Sequence, residues 1–158
     1  MKLSTRSHYG LRAMAELARS YGRGPLSLTE IAEAEQLSLA YLEQLIALLR
    51  RAGLVVATRG VHGGYQLSRD PQLISVGDIV RVLEGPLAPV ECASEEGGSS
   101  CCDRETECTT REVWVRMRES IAQVLDSTSL HDICHSPRQS ASLMDGQEDA
   151  DGKQVHLS

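Results

Sequence analysis

A mainly α-helical fold with a small β-hairpin is predicted by three observations. Apolar residues recur at helical spacing along most of the chain, one stretch of strand-type residues is broken by glycines, and aromatic residues are too few for an all-β core. With no Phe, one Trp and four Tyr, the core falls to Leu, Ile, Val and Ala. A hydrophobic share of 41% over 158 residues suits one compact domain with an appendage. The first eleven residues lack an apolar signal segment, and no run of eighteen apolar residues follows, so a cytoplasmic protein without a membrane partner is expected. In that reducing setting the five cysteines read as thiols or metal ligands before they read as disulfides.

A first helix is predicted over residues 7–21 from the stripe Leu11, Met14, Ala15, Leu17 and Ala18. Ser27 with Glu30 forms a capping box, which starts a second helix at Leu28 that runs to about Glu35 and buries Ile31 and Ala32. Gln36 and Leu37 make the turn, and Ser38 caps a third helix that reaches Arg51, with Leu42, Leu45, Ile46 and Leu49 buried and Gly53 ending it. Two helices joined by a tight turn form a helix-turn-helix. The run Leu54-Val-Val-Ala-Thr58, the glycine-rich tip Arg59 to Gly64 and Tyr65-Gln-Leu67 then read as a hairpin, which makes the unit a winged helix. Ser75 with Asp78 opens a helix over residues 76–83 that stops at Gly85-Pro86.

Residues 88–110 show neither a helical nor a strand period and read as a loop. From Thr110 a long amphipathic helix follows, with Val113, Trp114, Met117, Ile121, Val124 and Leu125 at coiled-coil-like spacing, until Ser127-Thr-Ser129 breaks it. Such a stripe needs cover. The same helix of a second copy supplies it most simply, with packing onto the chain's own first helix as the alternative. The expected organisation is a winged helix-turn-helix over residues 1–85, a cysteine-rich loop over 86–110, a dimerisation helix and a short following helix over 111–135, and a disordered tail over 136–158.

The formal charge of -6 is unevenly spread. Residues 1–89 carry 10 Lys+Arg and 8 Asp+Glu, whereas residues 90–158 carry 6 and 14, so the winged half is mildly basic despite the total. In winged helices the first turn of the third helix enters the major groove of DNA and the hairpin tip follows the minor groove. Candidate contacts are therefore Ser38, Ala40, Tyr41, Glu43 and Gln44 on that helix, Arg50 and Arg51 at its end, and Arg59 and Gly60 on the wing. Gln44 can pair bidentately with adenine, and Glu43 can accept from cytosine N4 or repel phosphate. Tyr41, Arg50 and Arg51 suit phosphate. The plainer alternatives are that Glu43 is a surface helix former and Arg59 merely solvated. A two-fold dimer would read a palindromic operator in double-stranded DNA.

Cys92, Cys101, Cys102 and Cys108 fall within 17 positions of the loop, among glycines and acids. Soft thiolates on a bendable backbone suit an iron-sulfur cluster. Zinc is the rival, but zinc sites show paired Cys-x2-4-Cys knuckles, and this loop has an adjacent pair followed by a five-residue gap. A thiol-only redox switch is the other alternative. Cys134 stands apart and reads as an inert thiol.

The stretches Ser38-Leu-Ala-Tyr-Leu-Glu-Gln-Leu45, Arg59-Gly-Val-His-Gly-Gly-Tyr65 and Gly77-Asp-Ile-Val-Arg-Val-Leu-Glu-Gly-Pro86 resemble a family of winged-helix transcription regulators. That family contains the iron-sulfur cluster regulator IscR, the nitric oxide sensor NsrR and the cysteine-metabolism repressor CymR. The likeness covers about residues 1–134 and is strongest to the IscR type. It implies a homodimer with a long dimerisation helix, preceded in the cysteine-bearing members by a cluster loop.

IscR-like members hold a [2Fe-2S] cluster through three cysteines and a histidine three residues after the last. Cys92, Cys102 and Cys108 match the cysteines, and Arg111, which cannot ligate iron, stands at the histidine place. In NsrR-like members an acid at the start of the first helix reaches across from the other subunit, and His8 matches it here. Cys101, Glu105 and Glu107 are the remaining candidates for a fourth ligand. CymR-like members lack these cysteines, and residues 113–127 resemble that branch.

The resemblance thus implies a regulator, a repressor included, in which cluster occupancy reports iron-sulfur supply, selects among operators and controls cluster biogenesis genes, with cluster assembly proteins as partners. Glu43 would penalise one class of sites. Sensing of nitric oxide or redox state through a [4Fe-4S] cluster, and repression of cysteine metabolism, are the alternatives within the family. An iron-sulfur carrier is the alternative outside it. An enzyme is not expected, because no nucleophile-base set or phosphate loop accompanies the cysteines.

Overall fold

A computed structural model of the chain describes residues 3–97 and 107–136. It is mainly helical, with α1 (Thr5–Arg19), α2 (Leu28–Glu35), α3 (Leu39–Arg51), α4 (Val76–Glu84), α5 (Arg111–Ser127) and α6 (Leu130–Cys134) around one hairpin of β1 (Val55–Thr58) and β2 (Gly64–Leu67). The tail expected beyond Ser136 lies outside the described residues.

Helix α1 starts earlier than its apolar stripe suggests because Ser4 caps it, accepting a hydrogen bond from the Arg6 amide at 3.1 Å. The Ser27–Glu30 box closes as expected: the Glu30 amide donates to Ser27 Oγ at 3.2 Å and the Ser27 amide to Glu30 Oε2 at 2.7 Å. Helix α2 ends where Gln36 takes the left-handed conformation, φ 54°, which swings the chain into α3. Met14, Leu17, Ile31, Leu42, Leu45, Ile46 and Leu49 meet in one core, each exposed by no more than 1%. Each such side chain contributes about 1.5–3 kcal/mol by leaving water.

The hairpin pairs Val55 with Leu67 and Thr58 with Gly64. The tip-side half of β2 is tied to the loop before α2, since the Leu26 amide donates to the Tyr65 carbonyl at 2.9 Å and the Tyr65 amide to the Leu26 carbonyl at 2.7 Å. Gly64 makes this approach possible, because a Cβ there would lie 2.3 Å from the Leu26 carbonyl oxygen.

Helix α4 packs on α1 and α5. Leu83 sits over Gly10, where a Cβ would come within 2.2 Å of its Cδ1. The two helices also cap each other. Arg6 Nη1 donates to the Leu83 carbonyl at 3.3 Å, at the end of α4, and Glu84 accepts from the Ser4 and Ser7 amides at 3.0 and 3.3 Å, at the start of α1. Both serine hydroxyls add to Glu84, that of Ser7 at 2.7 Å. Leu130 of α6 is fully buried in the main core, and a short bridge joins Ser75 and Ser129.

Two expectations are corrected. The loop before α5 contains a 3-10 turn, Glu91–Ala93, too short to leave a period in the sequence but anchored by Ala93, which is 1% exposed. The apolar stripe of α5 is two stripes. Ile121, Ala122 and Leu125 pack on Val76, Val80 and Leu87 of the same chain, while Val113, Met117 and Val124 are exposed. Helical rotation explains the split, because residues 113, 117 and 124 share one side and 118, 122 and 125 another.

Candidate nucleic-acid interface and cysteine loop

Burial of Leu42, Leu45, Ile46 and Leu49 turns the opposite side of α3 outward, so Ala40, Glu43 and Gln44 are exposed there. Ser38 opens the helix, its Oγ accepting from the Tyr41 amide at 3.2 Å, and Arg50 and Arg51 stand exposed at the far end. Tyr41 differs from a freely solvated phosphate contact: it is half-buried, and the Tyr9 ring of α1 meets it edge-on, with centroids 6.1 Å apart and planes at 89°.

On the wing, the Gly63 amide donates to the Gly60 carbonyl at 3.0 Å and closes the tip, which leaves Arg59, Gly60, Val61 and His62 exposed at its apex. Leu39, 42% exposed at the start of α3, and Val61, 98% exposed at the wing apex, were not among the sequence candidates. Val61 could have been found as an apolar residue inside a glycine turn, where no core can cover it.

Cys92 is half-buried on the 3-10 turn Glu91–Ala93. Two arginines hold that turn. Arg118 of α5 donates from Nη1 to the Ser94 carbonyl at 3.1 Å and the Ala93 carbonyl at 3.4 Å. Arg81 of α4 meets Glu95 through Nε, at 3.0 Å, and Nη2, at 2.6 Å, and Asp126 of α5 through Nη1, at 2.5 Å, and Nη2, at 3.0 Å. Glu95 also accepts from the Leu87 amide at 2.8 Å. Arg81 in the first place holds the Glu95 carboxyl below the usual carboxylate range. Gly77 leaves room for this cluster, since a Cβ there would lie 1.9 Å from Asp126 Oδ1.

Cys108 stands just before α5, its sulfur 3.3 Å from Thr110 Oγ1. The Thr110 hydroxyl first, then its backbone and the Arg111 cation, pull this thiol below its ordinary value, toward thiolate. Cys134 behaves oppositely: burial pushes it up, and it donates to the Ala15 carbonyl at 3.6 Å, as suits an inert thiol.

His8 is exposed on α1, its ring 5.1 Å from that of Tyr9, and it borders a groove of about 350 Å³ shared with Leu11, Arg12, Glu35 and Ile133. Arg111 opens α5 and Glu107 is exposed nearby, while Cys101, Cys102 and Glu105 lie outside the described residues. Among the described residues, no three of His, Cys, Asp and Glu converge into a group able to hold a metal ion. Nor is any helix among them long and apolar enough to cross a membrane.

Comparison with known proteins agrees with this arrangement. Residues 3–136 match the model of the Rrf2 family, described as iron-dependent transcriptional regulators. The chain is 47% identical over 150 residues to the HTH-type transcriptional regulator CymR of Bacillus subtilis (strain 168), covering 95% of this chain and 96% of that protein. A solved structure of CymR, the global cysteine regulator of B. subtilis, is similar with a TM-score of 0.72 at 46% identity, over 85% of this chain and 96% of the other. The structure of T. potens IscR gives a TM-score of 0.68 at 43% identity, over 96% of this chain and 94% of the other. These relatives regulate transcription and are not enzymes, and their structures share the mainly helical fold with its winged hairpin. The chain belongs to the Rrf2 family of DNA-binding transcription regulators.

Proposed function

We propose that this regulator changes its choice of operator with the state of an iron-sulfur centre held by Cys92, Cys102 and Cys108. The observation that carries this reading is how the fold treats the two described cysteines of the loop. The residues just after Cys92 are held to α5 by Arg118, at the Ala93 and Ser94 carbonyls, and to α4 by Arg81, at Glu95, while Cys108, 3.3 Å from Thr110 Oγ1, is drawn toward the thiolate form that iron requires. The donor chemistry, soft sulfur from both ends of the loop, fits a cluster, with [2Fe-2S] favoured over [4Fe-4S] on the IscR resemblance. His8 of the partner subunit or Cys101 completes the ligand set, with Glu105 and Glu107 as the oxygen alternatives. When bound, such a centre supplies a charge and redox state that oxidants and iron supply can alter.

The rest is done by the chain's own residues. A second copy covers Val113, Met117 and Val124 and makes a homodimer with two α3 helices placed for a palindromic site. Gln44 reads adenine, Glu43 accepts from cytosine or repels a disfavoured site, and Tyr41, Arg50, Arg51 and the Ser38 end of α3 meet phosphate. Arg59 and Gly60 follow the minor groove. A displacement of the Cys92 turn reaches α4 through Glu95 and Arg81, and α1 through Glu84. The setting is cytoplasmic, the controlled genes serve iron-sulfur cluster assembly, and cluster assembly proteins are partners.

A second reading has its own support. Identity of 47% to CymR, and the name global cysteine regulator carried by that solved structure, favour a repressor of cysteine metabolism whose loop cysteines act as thiols.

Anaerobic purification with iron and sulfide analysis, followed by anisotropy titration on operator fragments selected from genomic DNA, separates the two. The cluster reading expects iron in the wild type, its loss in Cys92→Ala, Cys102→Ala and Cys108→Ala, and a changed operator preference in all three. An iron-free wild type whose binding survives all three substitutions supports the second reading. In either case Gln44→Ala should cost about 1–3 kcal/mol at the base it reads.

A further inference from the structure

Tyr41 does not sit at the start of α3 unaided. Its ring is half-buried against the edge-on ring of Tyr9, one helix away. One turn along α1 from Tyr9, the Arg12 guanidinium lies 5.9 Å from the Tyr9 ring centroid. The same guanidinium grips the last residue of α2: Nε bonds the Glu35 carboxylate and Nη2 donates to the Glu35 carbonyl at 3.3 Å. Glu35 is 8% exposed and immediately precedes Gln36, whose left-handed backbone sets the angle between α2 and α3. Helix α1 therefore holds both sides of the turn, Arg12 on the helix that enters it and Tyr9 on the helix that leaves it.

We propose that Tyr9 and Arg12, which lie outside the helix-turn-helix, are positioning residues for DNA binding that hold the Tyr41 side chain and the first turn of α3 ready for phosphate. The inference rests on the reading of α3 as the recognition helix and of Tyr41 as a phosphate contact. Burial of Leu42, Leu45, Ile46 and Leu49 keeps α3 docked without Tyr9, so the aromatic pair is not needed to hold the helix in place. What the pair does fix is one side-chain orientation. An unrestrained tyrosine must be ordered when DNA binds, at a loss of affinity, whereas one already held by a neighbouring ring is not.

The test is a double-mutant cycle in the full-length chain. It is read as affinity for the tightest fragment selected from genomic DNA, with thermal melting recorded for every variant. Tyr9→Leu should weaken operator binding about 2- to 10-fold, the range of an aromatic pair. Tyr9→Phe, which keeps the ring, should bind as the wild type does. Tyr41→Phe should also weaken binding, and adding Tyr9→Leu to it should cost little more, because the orientation that Tyr9 protects no longer matters. Arg12→Met gives an independent arm and should weaken binding in the same direction.

If Tyr41→Phe binds normally, the phosphate contact is wrong and the inference falls with it. If Tyr41→Phe weakens binding while Tyr9→Leu is neutral or fully additive with it, the inference alone is overturned. Should Tyr9→Leu not fold, wild-type affinity in Arg12→Met overturns it.

Discussion

Replacing Arg81 with leucine would remove the side chain that ties α4 to both the cysteine loop and α5. Its guanidinium contacts Glu95 and Asp126 through two nitrogens each. Asp126 is 48% exposed, so its pair is screened and worth roughly 0.2–1 kcal/mol. Glu95 is 22% exposed and bonded through two nitrogens, which places its pair nearer the 1.5–3 kcal/mol typical of hydrogen bonds to charged groups. Arg81 itself is 30% exposed, which trims both values, and leucine restores some apolar contact. The net loss is about 2 kcal/mol, a fall in Tm of about 4–8 °C for a chain of this size. Thermal melting by circular dichroism measures it.

The pH dependence has a definite sign. The folded-state pKa of Glu95 is lowered from an ordinary 4.5, with Arg81 the main cause, so its stabilisation is fully present above that value and is lost as pH falls through the lower folded pKa. The gap between wild type and Arg81→Leu should therefore be constant around neutrality and narrow below about pH 4.5. A Tm within about 1 °C of wild type at neutral pH, or a gap that persists unchanged in acid, would refute the reasoning.

The double variant Met117→Glu with Val124→Glu should have the light-scattering mass of a 17.2 kDa monomer and melt near the wild-type temperature, because both residues are exposed within the chain. A mass of twice that value rules out this face. Ile121→Glu should instead lower the melting temperature directly, since Ile121 packs on the α4 cluster. Gly64→Ala should disrupt the bridge between the wing and Leu26, because the new Cβ meets Leu26 backbone that cannot retreat, and wild-type hydrogen-exchange protection at the Tyr65 amide in that variant would contradict this. In the metal-free protein, iodoacetamide followed by mass spectrometry should label Cys108 at lower pH and faster than Cys134, one thiol being pulled toward thiolate and the other pushed away from it. Equal rates would show that the Thr110 and Arg111 contacts do not activate Cys108.

Most of the fold was legible because its signals are local. Ser27 with Glu30, Ser38 and Ser75 with Asp78 each begin a helix one residue later, and the stripe Leu42, Leu45, Ile46, Leu49 points α3 inward by spacing alone. The features missed depend on contacts between residues distant in sequence. The true start of α1 is strengthened by Glu84, some eighty residues away, and the division of the α5 stripe depends on where α4 lies. A 3-10 turn of three residues has no period to read, and it is held by Arg81 and Arg118 from two other elements. On the candidate interface, the outward side of α3 followed from amphipathicity, but the edge-on support of Tyr41 by Tyr9 did not, because an aromatic residue on α1 carries no mark of which helix it will meet.

The bridge between Leu26 and Tyr65 makes the wing a lever braced close to its tip. Strand β2 is hydrogen-bonded to β1 on one edge and, at Tyr65, to Leu26 on the other, so the hairpin cannot swing about its root without breaking backbone bonds that no side-chain change can replace. Ordering on contact with DNA is then confined to the apex, residues 59–62, and costs about 0.5–1.5 kcal/mol for each long side chain immobilised rather than the entropy of a whole hairpin. A wing built this way reaches DNA already aimed. On the proposed docking, exchange of the apex residues among related regulators should therefore retune the minor-groove contact without retuning the angle at which the wing is presented.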